Sequence, residues 1–349
     1  MSDEFTESPE FWFHKRATHY VETQILFHLG QAGVFNLLDD EGPLSVRVIA
    51  SKLNLVPHVL SCLLDYVINV DDIIEYDNEG RVSVTKFGES VLIRYGRKDV
   101  DQTHFNFFDV RVGAYGPVWQ GLDRLLSGEN RYGKELVRSG EHAAVGVYKV
   151  SAMLIDQVEA ALLKFGVSRV AEIGVPSGLL ALLKSRQPQL EAVGVDVSEL
   201  AIAEGKVRAV ELGVDDISWR QADFFDTGAW GDLISDGSST TAIVSTHFHE
   251  LVGEGVDSLQ EALGELKRKA PGTYVLAIEQ ERLGPADKDR VSDTVWSYSH
   301  SNVLIHHLIK NGQIFARSRW IEVFEEGGCT LVSADPMGYL GYHLYLFRL

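Results

Sequence analysis

Cysteine is nearly absent from the 349 residues: only Cys62 and Cys329 occur. Two are too few for a disulfide framework or a thiolate metal centre, and the expected compartment is the reducing cytoplasm. Basic residues are also in short supply. Thirty-two Lys plus Arg against 50 Asp plus Glu leave a formal net charge of -18, which repels nucleic-acid phosphates and anionic membranes alike. No apolar run reaches the ~18 residues of a membrane span, and no charged-then-apolar leader opens the sequence. What remains is an ordinary globular composition, 45% hydrophobic, long enough for two domains. These absences argue against nucleic acid and membrane as partners.

The opening MSDEFTESPE is polar and acidic and is expected to be loose. From Trp12 to Phe35 the apolar residues Ala17, Tyr20, Val21, Ile25, Leu29 and Phe35 recur at helical spacing and predict one long helix. Two further helical patterns follow, SVRVIASKLNL and VPHVLSCLLDYVINV, the second with Pro57 near its start, where proline is tolerated. DIIEYDNEGRVSVT then reads as two short strands around an Asn-Glu-Gly turn. Helices followed by a hairpin read as a winged helix. DNA binding does not follow, because the segment Val56 to Val70, where a recognition helix would lie, has no Arg or Lys and is built to pack. Residues 101–155 read as a helical linker lining a substrate chamber. Phe105, Phe107, Phe108, Tyr115 and Trp119 there are core or substrate contacts, and Arg111, a guanidinium among apolar residues, needs a carboxylate, either Asp109 or an anionic substrate.

The stretch from Val170 to Asp223 organises the rest. VAEIG breaks into VPSG and restarts as a leucine-rich helix, which is strand, tight turn and helix. A second strand, AVGVD, ends on Asp196, 24 residues after Glu172, the spacing of a nucleotide-type βαβ unit. Gly174 and Gly178 let backbone approach a ligand, and a helix starting near Ser177 points free N–H groups at it. Asp196 is placed to accept hydrogen bonds from ribose hydroxyls. A third strand-like run, ISWRQADFF, sets Asp223 beside Phe224 and Phe225, where an acid next to aromatics suits an adenine amino group.

The order EIG…SG, GVD, QADFF resembles the S-adenosylmethionine-dependent methyltransferases, and the resemblance implies that Glu172, Gly174, Ser177, Gly178, Asp196, Asp223 and Phe224 hold that cofactor. Val175 and Pro176 depart from the usual GxGxG loop, and proline removes an N–H donor. The resemblance extends to the small-molecule O-methyltransferase-like family: TKFGESVL after the hairpin, His249-Glu250 after the strand TTAIVST, and the region VWSYSHSNVLIHHLIKNGQIFARSRWIEVFEEGGCTLVS all match its layout. It implies a winged-helix dimerisation domain over residues 1–100, a doubly wound, Rossmann-like class I α/β methyltransferase domain over 156–349, a homodimer, and His249 as the base that takes a substrate proton.

Histidine is in surplus for that role. His247, His249 and Glu250 follow one strand, and His300, His306 and His307 lie on a later helix. Two histidines and a carboxylate from separate elements make a facial metal site, and His249, Glu250 and His300 are the expected ligands of a divalent ion, iron or zinc. His306 and His307 point in different directions, so at most one reaches the site. His247 and His249, alternating along a strand, share one side, which keeps His247 as a ligand or base. The set resembles the metal-dependent α-keto acid C-methyltransferases, those acting on 2-ketoarginine and phenylpyruvate, and implies methylation of the β-carbon of an α-keto acid. The alternatives are a metal-free O-methyltransferase with His249 as base, and a non-catalytic ligand-sensing protein.

Overall fold

The computed structural model describes residues 9–90, 108–174, 178–235, 239–310, 312–338 and 340–349. The chain divides into two compact units, Met1–Met153 and Leu154–Leu349. In the first, α1 (Pro9–Gln31) and α2 (Val34–Glu41) replace the single helix expected to reach Phe35, because Gly33 takes φ 80 and ends the first helix in the left-handed region. Helix α3 (Val46–Leu53) starts at Ser45, whose side chain accepts from the Val48 N–H, and α4 (Pro57–Val70) carries Pro57 in its first turn. Strands β1 (Ile74–Tyr76) and β2 (Val82–Val84) then pair antiparallel. Asp77 closes their turn by accepting the N–H groups of Glu79 and Arg81 and pairing with the Arg81 guanidinium at 2.7 Å. Leu29, Val34, Phe35, Ile49, Leu64 and Val82 form the core of this helix-and-wing unit.

Further along the same unit, Asp109–Ala114 form a π-helical turn. The Asp109 carboxylate is buried and receives Lys149 Nζ at 2.5 Å and Gln31 Nε2 at 2.9 Å. Lys149 stands on α5 (Gly140–Lys164). Of the two counterparts considered for Arg111, Asp109 is thus held by Lys149 and Gln31. Tyr115 is core and Trp119 half-buried, its Nε1 donating to the Arg111 carbonyl. Phe105 and Phe107 lie outside the described residues.

The second unit is built on a seven-stranded sheet in the order β5-β4-β3-β6-β7-β9-β8. Strands β3 (Arg169–Ile173), β4 (Glu191–Asp196), β5 (Ile217–Gln221), β6 (Thr241–Ser245) and β7 (Tyr274–Gln280) run parallel, and β9 (Tyr342–Arg348) enters antiparallel between β7 and β8 (Thr330–Pro336). All five residues of β6 are buried, as expected of a strand with both faces covered. The helices of this unit include α6 (Leu179–Arg186), α7 (Glu199–Glu211), α8 (Val256–Lys269), α9 (Asp293–Ile309) and α10 (Arg317–Glu326). Leu259, Leu263 and Leu266 of α8 sit in one core with Ile243, Val275, Trp320, Phe324 and Phe347. Strand order reverses between β3 and β6. In open α/β sheets a ligand binds outside the carboxyl ends of the strands at this switch point, and both segments singled out by sequence leave the sheet there.

Candidate active site

Glu172, one residue before the end of β3, is buried and turns its carboxylate into the first turn of α6, where Oε2 accepts the Leu180 N–H at 2.9 Å. Burial pushes this carboxyl well above the usual carboxylate range. The Leu180 amide opposes that rise and nearby Asp196 adds to it. Glu172, expected on the cofactor, thus has one carboxylate oxygen committed to the start of α6. Gly174 (φ 82) and Gly178 (φ 66) both lie in the left-handed region, and Gly178 is the N-cap of α6. The helix thus begins at Leu179, two residues later than expected. Val175, Pro176 and Ser177 lie outside the described residues.

Asp196 closes β4, half-buried, with Oδ1 accepting the Ser198 N–H at 2.7 Å. Asp223 stands two residues beyond β5, exposed, its Oδ1 accepting the Phe225 N–H at 2.9 Å. Because β3, β4 and β5 are neighbours, the acids follow one another across the top of the sheet. Phe224, expected on the cofactor, is only 4% exposed, with its ring 5.9 Å from Trp230 and 6.0 Å from Phe248. It is part of the core, and Phe225 is the half-buried aromatic beside Asp223.

Strand β6 ends at Ser245, so His247 and His249 do not alternate along a strand. The Ser245 hydroxyl donates to the Ile173 carbonyl and accepts the His247 N–H at 3.0 Å, and this bends the chain into a helical turn, Phe248–Leu251, with His247 as its N-cap. The two rings still stand side by side, centroids 6.1 Å apart and 23° from parallel. A Cβ on Gly174 would lie 2.8 Å from His247 Nδ1. The imidazole of His247 therefore rests on the glycine turn, and the two candidate sites adjoin.

His249 is gripped by one carboxylate. Glu279, fully buried near the end of β7, accepts the His249 N–H on Oε1 at 3.1 Å and meets Nδ1 with Oε2 at 2.8 Å. That fixes the ring and makes Nε2 the nitrogen that would meet a proton or an ion. Glu279 was missed in sequence, although an acid directly after the apolar VLAI run of β7 was the available signal. The His306 ring lies 4.6 Å from that of His249, edge to face. Among the described residues, His249, Glu250 and His306 bring donor atoms within 4.8 Å of one another. His300, expected as third ligand, is exposed, with Nδ1 against the Trp296 carbonyl one turn back. His307 is exposed as well. The inward face of α9 is set by the buried Tyr298, Ile305 and Ile309, and His306 is on it. Arg111 belongs to the other compact unit.

No protein-family model and no curated relative matches the sequence. Solved structures do match in shape. Human N-acetylserotonin methyltransferase in complex with SAM superposes with a TM-score of 0.71 over 100% of this chain and 99% of its own, at 17% identity. The fold is the Rossmann-like methyltransferase fold. An O-methyltransferase family protein from Burkholderia thailandensis gives 0.65 at 15% identity over 98% of both chains. Mitomycin 7-O-methyltransferase gives 0.64 at 16% identity over 97% of both. Among the described residues no helix is long and apolar enough to cross a membrane.

Proposed function

We propose that this chain is an S-adenosylmethionine-dependent methyltransferase that methylates the β-carbon of an α-keto acid, with a divalent ion held by His249, Glu250 and His306. The observation that carries the reading is the convergence of those donors within 4.8 Å beside a glycine turn of the methyltransferase fold. Two imidazoles and one carboxylate suit iron or zinc, and Glu279 behind His249 is the carboxylate that orients a ligating histidine. When bound, the sulfonium cofactor supplies an electrophilic methyl and the ion supplies Lewis acidity toward a chelating keto acid. The chain's residues do the rest. Gly174, Gly178 and the start of α6 receive the cofactor's methionine end, Asp196 its ribose and Asp223 its adenine. His247, between the glycine turn and His249, is the group placed to accept the β-carbon proton.

A second reading has its own support. The Glu279–His249 pair is what a general base requires, with Glu279 fixing the tautomer and steadying the imidazolium, and it deprotonates a hydroxyl without metal. The named structural neighbours include a 7-O-methyltransferase. Labelled S-adenosylmethionine offered with a panel of α-keto acids and phenols, with and without chelator, separates the two. Chelator-sensitive labelling of a keto acid is expected, with 2-ketoarginine ahead of phenylpyruvate. Chelator-insensitive labelling of a phenol would establish the second reading instead. We also propose a homodimer assembled through the N-terminal unit, supported by exposed aromatics Phe11, Trp12 and Phe13 on α1.

A further inference from the structure

The three donors come from two pieces of chain, the turn after β6 and the helix α9, about fifty residues apart in sequence. Their convergence therefore depends on how α9 is fastened. One fastening lies just past its end. Lys310 turns the chain in the left-handed region (φ 53), one helical turn beyond His306, and the Gln313 N–H then donates to the His249 carbonyl at 2.8 Å. Between them stands Gly312, where a Cβ would lie 2.4 Å from the His249 oxygen, 3.0 Å from its carbonyl carbon and 3.1 Å from Glu250 Cα. All three are backbone atoms, so no side-chain rotation relieves the overlap.

The other fastenings lie at the end of β7 and on the residue just past it. Glu279 grips His249, the next residue, Gln280, accepts from Asn302 Nδ2 at 2.6 Å, and the Glu281 carbonyl accepts from Ser299 Oγ at 2.9 Å. Gln280 is itself buried and donates to the Leu340 carbonyl. Asn302 is one turn before His306, so α9 is tied to the strand end on one side of His306 and to the His249 carbonyl on the other.

We propose that Gly312 is a positioning residue for the His249–Glu250–His306 donor set: the absence of its side chain lets the end of α9 close on the backbone of the two other donors. Asn302 does the same from the opposite side of His306. This rests on the metal reading above, and it goes beyond it by locating what sets the distance between the donors.

The test titrates purified metal-free protein with cobalt(II), followed by its visible absorption, for the wild type, Gly312→Ala and Asn302→Leu. S-adenosylhomocysteine affinity and the melting temperature of each metal-free protein are measured in parallel. The expected result is cobalt affinity at least tenfold weaker in both variants, with an altered band, while S-adenosylhomocysteine affinity stays within about twofold. Asn302→Leu keeps the result readable if Gly312→Ala does not fold. A wild type that binds cobalt and variants that bind it equally well with the same band overturn the inference alone. A wild type that binds no cobalt overturns the metal reading and the inference together.

Discussion

His249 has one ring nitrogen and its backbone amide committed to the same carboxylate, so the orientation of its imidazole is decided by Glu279. Glu279→Gln keeps an oxygen for one of these bonds and loses the charge that favours Nδ1–H. A fall of about 10–100-fold in metal affinity or in kcat/KM is expected, measured by metal titration and by initial rates, and unchanged values would remove Glu279 from the site. His306→Ala should strip the ion while His300→Ala keeps it, as metal analysis of the two purified variants would show. Full occupancy in His306→Ala would end the present ligand assignment. The cluster was legible in the sequence as a surplus of histidine, but the choice among His300, His306 and His307 was not. Spacing gives the angle between side chains on a helix, whereas the roll of α9 is set by which side chains it buries, and Tyr298, Ile305 and Ile309 fix that.

At the scale of elements, the ends of β3, β4 and β5 were readable because an acid stands at or just beyond each of them, Glu172, Asp196 and Asp223 in turn. What spacing did not convey is which acids look outward. Glu172 looks inward to cap α6, and its raised pKa has a thermodynamic consequence. A carboxyl whose folded pKa lies above its unfolded value binds its proton more tightly when folded, so it adds stability below the unfolded value and loses that contribution as pH rises through the folded one. Glu172→Gln has no such loss. Its stability relative to wild type should therefore grow as pH rises from about 4 toward the folded pKa, read from urea midpoints across pH; a constant difference would mean that the carboxyl titrates normally. In the same turn, Gly174→Ala forces a side chain into the left-handed region and against His247. The backbone alone costs about 1–2 kcal/mol, and S-adenosylhomocysteine affinity by calorimetry should fall with it.

For the whole molecule, the helix-and-wing unit was legible because helical patterns are followed by two short alternating runs around a turn, and α2, α3, α4, β1 and β2 take those places. The structure adds the surface. Residues 11–21 of α1 are exposed along their whole length, with Trp12 53% and Phe13 75% accessible. A copy of the same chain is the occupant we propose, and a two-fold contact would bury the same rings on both protomers. At about 1.5–3 kcal/mol per buried large apolar side chain, the Trp12→Asp, Phe13→Asp double variant should lose roughly 3–6 kcal/mol per protomer. Since each 1.4 kcal/mol is about tenfold in Kd, the dimer's dissociation constant should rise by more than about a hundredfold. The charge gives an independent handle: two chains of net charge -18 repel each other, and added salt screens that repulsion without weakening apolar contacts. Sedimentation velocity at low and high ionic strength is the measurement. A dimer that tightens with salt in the wild type and a monomer in the double variant are the expected pair, whereas a wild type that sediments as a monomer at micromolar concentration under both conditions would rule out α1 as a self-association surface.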